Sequence, residues 1–194
     1  GLLLPFGVTY VRLYLDTKIH NEEDIQDVIG EIPILGHIPK INNNEKLNNT
    51  ATSHSLIAEA SRALVSNISY LLPRNKENKG SVVLFTSSIQ GEGKSFCAFH
   101  NAITMSNLNK KVLLIGVDLR KPQLHGYFNI GRSALGLSNF LANKTDDWKE
   151  FLHKDNNFSK NLDVLFAGDP PPNPSQLITN SNFESLIEEA KKIY

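Results

Sequence analysis

The stretch that most constrains this chain runs from Thr86 to Ser95 (TSSIQGEGKS), between an apolar β-branched run and an amphipathic helical pattern. Gly91 and Gly93 permit backbone conformations that aim successive N–H groups inward, which makes an anion nest at a helix start. Lys94 can then neutralise the β- and γ-phosphates of a nucleotide, and the Ser95 hydroxyl can ligate Mg²⁺. A glycine-containing turn that carries a lysine by chance is the alternative. The order strand, Gly-x-Gly-Lys-Ser, helix favours a phosphate-binding loop, whose predicted nucleotide-binding residues are Gln90, Gly91, Glu92, Gly93, Lys94, Ser95 and Phe96.

A second polar element, residues 116–122 (GVDLRKP), follows the next apolar run. In an open α/β sheet, ligands bind at the carboxyl ends of the strands, so we expect Asp118 at the same edge as the phosphate loop. A carboxylate there can hold Mg²⁺ or accept a proton from an attacking hydroxyl. A solvated strand-end aspartate is the alternative. Beside a phosphate loop we favour Asp118 and Lys94 as catalytic residues, with Asp118 and Ser95 as metal ligands.

Apolar runs alternate with helical patterns over residues 56–193, which predicts an α/β fold with a parallel sheet and right-handed crossovers. The predicted strands are Ser81–Thr86 (SVVLFT), Lys111–Gly116 and Leu162–Phe166. The predicted helices are Leu56–Leu72, Lys94–Leu108, Leu137–Ala142 and Phe183–Ile193. For the first helix, the spacing places Leu56, Ala60, Leu64, Ile68 and Leu71 on the apolar face.

The beginning of the chain differs from the rest, because residues 1–15 carry a single charge, at Arg12. This run is shorter than the roughly 20 residues of a spanning helix. It is either the cytoplasmic end of a transmembrane helix, with Arg12 and Lys18 on the inner side, or a buried N-terminal element. Residues 16–52 are predicted to hold a charged helix with Gly30 as its C-cap, then an Asn-rich linker. Residues 53–194 are predicted to form the catalytic domain.

Composition excludes several classes of protein. Twenty Lys and Arg residues balance twenty Asp and Glu residues, which argues against a nucleic-acid-binding surface. The single cysteine, Cys97, excludes an intramolecular disulfide, and no Cys/His cluster has zinc-site spacing.

The two polar elements together resemble the bacterial tyrosine kinases (BY-kinases) that regulate capsule and exopolysaccharide assembly, a branch of the P-loop ATPases. Residues 86–95 resemble the family's Walker A motif, and residues 112–122 (VLLIGVDLRKP) resemble its Walker A′ motif. Residues 167–174 (AGDPPPNP) are similar to its Pro-rich loop. Ile89 stands where partitioning ATPases carry a second lysine, which favours the kinase branch. Residues 15–25 and 33–39 (PILGHIP) resemble the family segment that follows the second transmembrane helix, which favours the membrane interpretation of residues 1–15.

Three departures from the family pattern stand out. Gly116 replaces the first of two Walker A′ aspartates. The Glu-x-x-Arg-x-x-Arg oligomerisation pattern is present as Glu59, Arg62 and Val65, and the Glu59–Arg62 spacing also permits a pair within one helix. The chain ends at Tyr194, before the position of the family's Walker B strand and Tyr-rich tail, so we expect a fragment whose α/β domain is incomplete at its C-terminus.

The resemblance implies an ATP-dependent protein-tyrosine autokinase that uses ATP and Mg²⁺. It implies a ring-like homo-oligomer formed through Glu59 and Arg62, phosphorylation in trans and contact with the polysaccharide export machinery. It also implies a place in the inner (cytoplasmic) membrane, with the kinase domain in the cytoplasm. Gly116 and Val65 favour one alternative, a catalytically weak nucleotide-binding scaffold that sets polysaccharide chain length. A partitioning-type ATPase is the other.

Overall fold

The computed structural model describes residues 3–16, 22–40, 56–73, 79–131, 134–142, 147–154 and 157–194. They group into two compact units, residues 1–35 and residues 36–194. The predicted linker, residues 41–52, lies outside the described residues. The larger unit contains both polar motifs.

The described residues of the smaller unit form two helices, α1 (Leu3–Tyr14) and α2 (Glu22–Ile29). Gly30 follows α2 with a φ of 63°, the left-handed conformation that ends helices, as predicted. The described apolar side chains of α1, Phe6 and Val8 among them, are exposed. No helix in the described ranges is long and apolar enough to cross a membrane.

The larger unit contains a three-stranded sheet in the order β1 (Val112–Ile115), β3 (Leu162–Leu165), β2 (Leu152–Lys154). β1 and β3 are parallel, with Val112 opposite Leu162, and this pair confirms two of the predicted strands. β2 pairs antiparallel with β3, so the predicted all-parallel sheet is wrong and the sheet is mixed. The sequence did not reveal β2, because its three residues are too few to show a pattern.

Helices cover both faces of this sheet. The helices of the larger unit are α3 (Leu56–Leu71), α4 (Lys94–Asn107), α5 (Leu137–Leu141), α6 (Pro174–Ile178) and α7 (Ser181–Ala190), with short 3-10 turns at Leu124–Phe128 and Trp148–Phe151. The central strand alternates between two cores. Leu162 and Val164 join the core formed with α4, whereas Leu165 joins the core formed with α5 and α7. Burial on both faces explains why these strands read as continuous apolar runs.

The predicted strand Ser81–Thr86 is wrong for the described residues. The segment pairs with none of the three described strands, and the side chains of Val82 and Leu84 are 57% and 78% exposed. The described backbone hydrogen bond next to this segment is donated by the N–H of Gly80 to the Lys191 carbonyl, at 2.6 Å. A β-branched run makes a strand only where a neighbouring strand completes its hydrogen bonds, and no such neighbour is described here.

The predicted apolar face of α3 also needs correction. Ser61, Val65 and Ile68 are the buried side chains, whereas the predicted Leu56 and Leu71 are exposed. The physical reason is that α3 packs mainly against α4, and a helix with one helical neighbour buries a narrow stripe. Spacing alone could not decide which stripe meets that neighbour.

A buried histidine lies on α4, one turn and a half beyond the phosphate loop. The His100 ring is 5% exposed and packs against Phe96 and Phe99, with ring centroids 4.2 and 5.2 Å away. Its Nε2 has no hydrogen-bond partner among the described residues. Burial lowers the pKa of His100 to about 4, so the ring is neutral at neutral pH.

This burial predicts a pH-dependent stability. Because the folded pKa is about 4 and the ordinary value is 6.5, the unfolded chain binds the extra proton between these values. Stability therefore falls as pH is lowered from 6.5 toward 4, by roughly 1 kcal/mol per pH unit from this group. In His100→Phe the free energy of unfolding, measured by urea titration at pH 6.5 and pH 5, should fall less than in the wild type. The same substitution at exposed His37 is the control, and a wild-type slope in His100→Phe would contradict the assignment.

Candidate nucleotide-binding site

The phosphate loop follows the extended segment 79–86 and leads directly into α4. Gly91 and Gly93 have φ values of 95° and 96°, in the left-handed region that favours glycine. A Cβ at either position would meet nothing within 4 Å, so the requirement for glycine here is conformational rather than steric. Gly93 is the N-cap of α4 and provides no side-chain cap to the helix. The first N–H groups of α4, with the positive end of the helix dipole, are therefore available to an anion.

The loop is closed by one of its own side chains. Glu92 Oε2 accepts a hydrogen bond from the N–H of Ile89 at 3.1 Å, and the Ser87 hydroxyl donates to the Ile89 carbonyl at 3.0 Å. Sequence reasoning placed Glu92 among the nucleotide-binding residues. The structure gives it a clear part in holding the loop's backbone.

An ion pair joins the two sequence motifs. Lys94 Nζ lies 3.2 Å from Asp118 Oδ2, and the two side chains are 31% and 35% exposed. Burial raises the pKa of the Asp118 carboxyl. The hydrogen bond from the Lys121 backbone and the Lys94 ammonium lower this pKa by more, so the carboxyl stays charged at neutral pH. The loop after β1 thus lies at the same edge as the phosphate loop.

Two further cations follow Asp118, and the sequence did not single them out as site residues. Lys121 Nζ donates to Gln90 Oε1 at 3.2 Å, and Arg120 Nη2 donates to Ser175 Oγ, in α6, at 3.2 Å. These contacts connect the phosphate loop, the Asp118 loop and the Pro-rich segment. The sequence did contain a signal for these two residues, because the basic pair Arg120-Lys121 lies within three residues of Asp118.

The remaining predicted ligands lie in the first turn of α4. Ser95 is half-buried there, and Phe96 is turned toward the His100 ring. Within the described ranges, no group of three His, Cys, Asp or Glu residues could hold a metal ion. Mg²⁺ commonly binds through one or two protein oxygens together with substrate phosphates, and Ser95 and Asp118 could each supply one such oxygen.

Gly116, the position of the missing Walker A′ aspartate, is closely packed. Its N–H donates to the Leu165 carbonyl at 2.8 Å, so the parallel pairing continues one residue past β1. A Cβ at Gly116 would lie 3.1 Å from the Ala167 nitrogen and 3.5 Å from Leu124 Cδ2. A larger side chain would need these neighbours to shift.

The predicted oligomerisation residues lie on α3. Glu59 and Arg62 are exposed, and Val65, which replaces the second arginine of the pattern, is 3% exposed. Val65 therefore contributes to the core.

Comparison with known proteins identifies the family, although no protein-family model matches the chain. The chain is 38% identical to CapB of Staphylococcus aureus over 143 residues, which are 72% of this chain and 58% of CapB. It is 34% identical to the chimerical protein CapA2B2, with a TM-score of 0.71 over 86% of this chain and 68% of that one. The chain belongs to the bacterial tyrosine kinases. Its fold also matches the kinase domain of the Escherichia coli tyrosine kinase ETK, with a TM-score of 0.78, 25% identity, and 91% and 70% of the two chains covered.

Membership of the bacterial tyrosine kinases confirms the family and the α/β fold class predicted from the two motifs. Tyrosine-protein kinase YwqD of Bacillus subtilis is 35% identical over 140 residues, 72% of this chain and 56% of YwqD. The chain thus spans little more than half the length of these relatives. The catalytic and metal-binding roles of Lys94, Ser95 and Asp118 stay predictions.

For this bacterial tyrosine kinase we expect nucleotide binding to depend on Lys94. Lys94→Met removes one positive charge from the nest, and charge-assisted hydrogen bonds contribute roughly 1.5–3 kcal/mol. ATP binding measured by calorimetry should weaken by roughly ten- to a hundredfold. Lys111→Met, at the opposite end of β1, is the matched control. Equal ATP affinity in Lys94→Met and the wild type would refute the phosphate-loop assignment.

Proposed function

We propose that this chain is the nucleotide-binding part of an ATP-dependent protein-tyrosine autokinase that regulates capsular or exopolysaccharide polymerisation and export. The observation that carries the proposal is the 3.2 Å pair between Lys94 and Asp118, beside a glycine loop with left-handed backbone. The pair supports the proposal because it brings together the two side chains that we propose to contact phosphate and to hold a metal ion or a hydroxyl. The names of CapB, YwqD and ETK as relatives support the same conclusion.

Each residue of the site would have a separate task in phosphoryl transfer. Lys94 would exchange its contact with Asp118 for contact with phosphate oxygens and offset their charge. Asp118 would then be free to hold Mg²⁺ through an oxygen, with Ser95, or to orient the tyrosine hydroxyl. The bound Mg²⁺ would supply further charge compensation at the transferred phosphate. The reaction relies on positioning and electrostatics, which is what these side chains offer.

A nucleotide-binding scaffold that does not phosphorylate is the second candidate. The close packing around Gly116 favours it, since the position leaves little room for a second carboxylate. Both candidates predict ATP binding. Only the kinase predicts transfer of label from ATP to tyrosine, so one assay separates them.

For residues 1–15 we propose the end of a transmembrane helix, which would anchor the kinase at the cytoplasmic face of the inner membrane. The exposed apolar side chains of α1, together with Arg12 and Lys18 after them in the sequence, support this place. The polysaccharide export machinery would then be the partner at the membrane.

We expect residues 1–194 alone to bind MgATP and to show negligible autophosphorylation. Ser95 and Asp118 supply at most two protein oxygens, and the resemblance implies a Walker B aspartate on a further strand downstream. A longer polypeptide that includes this strand and a tyrosine tail should incorporate label from radiolabelled ATP into phosphotyrosine, and its Lys94→Met variant should not. A strong phosphotyrosine signal from residues 1–194 would show that this view of the catalytic parts is incorrect.

A further prediction concerns assembly through α3. If Glu59 and Arg62 bridge neighbouring subunits, Arg62→Ala in the full-length protein should shift the assembly to smaller species in light scattering, because it removes one side of each contact. Ser66→Ala, at another exposed position of α3, is the control. If the mass of the assembly were unchanged, the prediction would be wrong, and Glu59 and Arg62 would instead pair within one helix. Such a pair contributes little to stability.

A further inference from the structure

A second lysine reaches the phosphate loop from a distant part of the chain. The ammonium of Lys121 lies 3.2 Å from Oε1 of Gln90, although 31 residues separate the two. Gln90 directly precedes Gly91, the first left-handed glycine of the loop. Lys121 is therefore at the rim of the anion nest, on the side where the loop begins.

Asp118 contacts both lysines of the site. Its Oδ1 accepts a hydrogen bond from the backbone N–H of Lys121 at 3.0 Å, and its Oδ2 pairs with Lys94 Nζ at 3.2 Å. The first contact fixes where the Lys121 side chain leaves the backbone. The second places the tip of Lys94 beside this carboxylate, and in phosphate loops such a lysine reaches the β- and γ-phosphates.

Its neighbour Arg120 goes elsewhere, since the guanidinium donates to Ser175 in α6. The two adjacent cations therefore diverge, and Lys121 is the one directed to the loop. The described side-chain partner of Lys121 is a neutral amide, which does not offset its charge. The charge of Lys94, by contrast, is offset by Asp118. A hydrogen bond between two exposed side chains, Lys121 and Gln90, is weak and readily exchanged for a phosphate oxygen.

We infer that Lys121 binds the terminal phosphate of the nucleotide and makes the site prefer a triphosphate over a diphosphate. The inference rests on the proposed nucleotide site. The backbone N–H groups of the loop hold the phosphates nearest the nucleoside, and Lys94 lies where the terminal phosphate would bind. The Lys121 backbone is hydrogen-bonded to the carboxylate that pairs with Lys94, so the Lys121 side chain starts close to the tip of Lys94, and its ammonium reaches the loop at Gln90. It is a specificity residue.

The test compares Lys121→Gln with the wild type in binding of ADP and of the non-hydrolysable ATP analogue AMP-PNP, both with Mg²⁺, by calorimetry. Glutamine removes the charge and keeps a polar hydrogen-bond donor on a side chain of similar length. AMP-PNP binding should weaken by about five- to twentyfold and ADP binding by less than about twofold. Lys121→Arg should retain most of the preference, and Lys111→Gln should leave both affinities unchanged.

The possible results separate this inference from the proposed function. Wild-type affinities in Lys121→Gln, or equal losses for AMP-PNP and ADP, would overturn the role of Lys121 and leave the nucleotide site intact. A wild-type protein that binds neither nucleotide would overturn both. Because the Lys121 side chain is exposed, unfolding of the variant is not expected, and its thermal midpoint should match the wild type.

Discussion

The parallel pairing of β1 with β3 is the constraint on which the site depends. Parallel neighbours end at the same edge, so the segments that follow Ile115 and Leu165 leave the sheet side by side. The pairing continues through the N–H of Gly116, which brings the Asp118 loop close to the backbone of Ala167. Burial of β3 on both faces maintains this register, because a slip by one residue would exchange its two sets of apolar side chains.

On this edge, one carboxylate connects the parts of the site. Asp118 contacts Lys94 with one oxygen and the backbone of Lys121 with the other, and its lowered pKa reflects both partners after the opposing effect of burial. The phosphate loop has its own closure through Glu92 and therefore does not depend on Asp118 for its shape. Asp118 lies beside this loop and contacts the Lys94 ammonium and the Lys121 backbone. Because the loop is closed by Glu92, its shape does not require a carboxylate at Gly116.

The α3–α4 contact shows how a departure from a family pattern can have a packing role. Val65 occupies the position of an arginine in the oligomerisation pattern and is buried, on a helix that packs mainly against α4. A valine there adds apolar burial to the helix that carries the phosphate loop, whereas Glu59 and Arg62 stay on the exposed side. The next turn of α4 buries His100, whose Nε2 has no hydrogen-bond partner among the described residues, and this burial makes the stability of the fold sensitive to protonation.

The sequence alone determined the elements whose signal is local. The Gly-x-Gly-Lys-Ser loop, the helix α4 after it, the strands β1 and β3 and the Gly30 cap all follow from backbone preferences and from periodicity within a few residues. The family also followed from local motifs. Tertiary structure decided everything that requires a partner distant in sequence. The run Ser81–Thr86 has the composition of β1 and is still unpaired among the described strands, since a strand exists only beside another. The stripe of α3 that is buried, the antiparallel strand β2 and the approach of Lys121 to Gln90 were likewise invisible in the sequence, because each is set by packing between segments tens of residues apart.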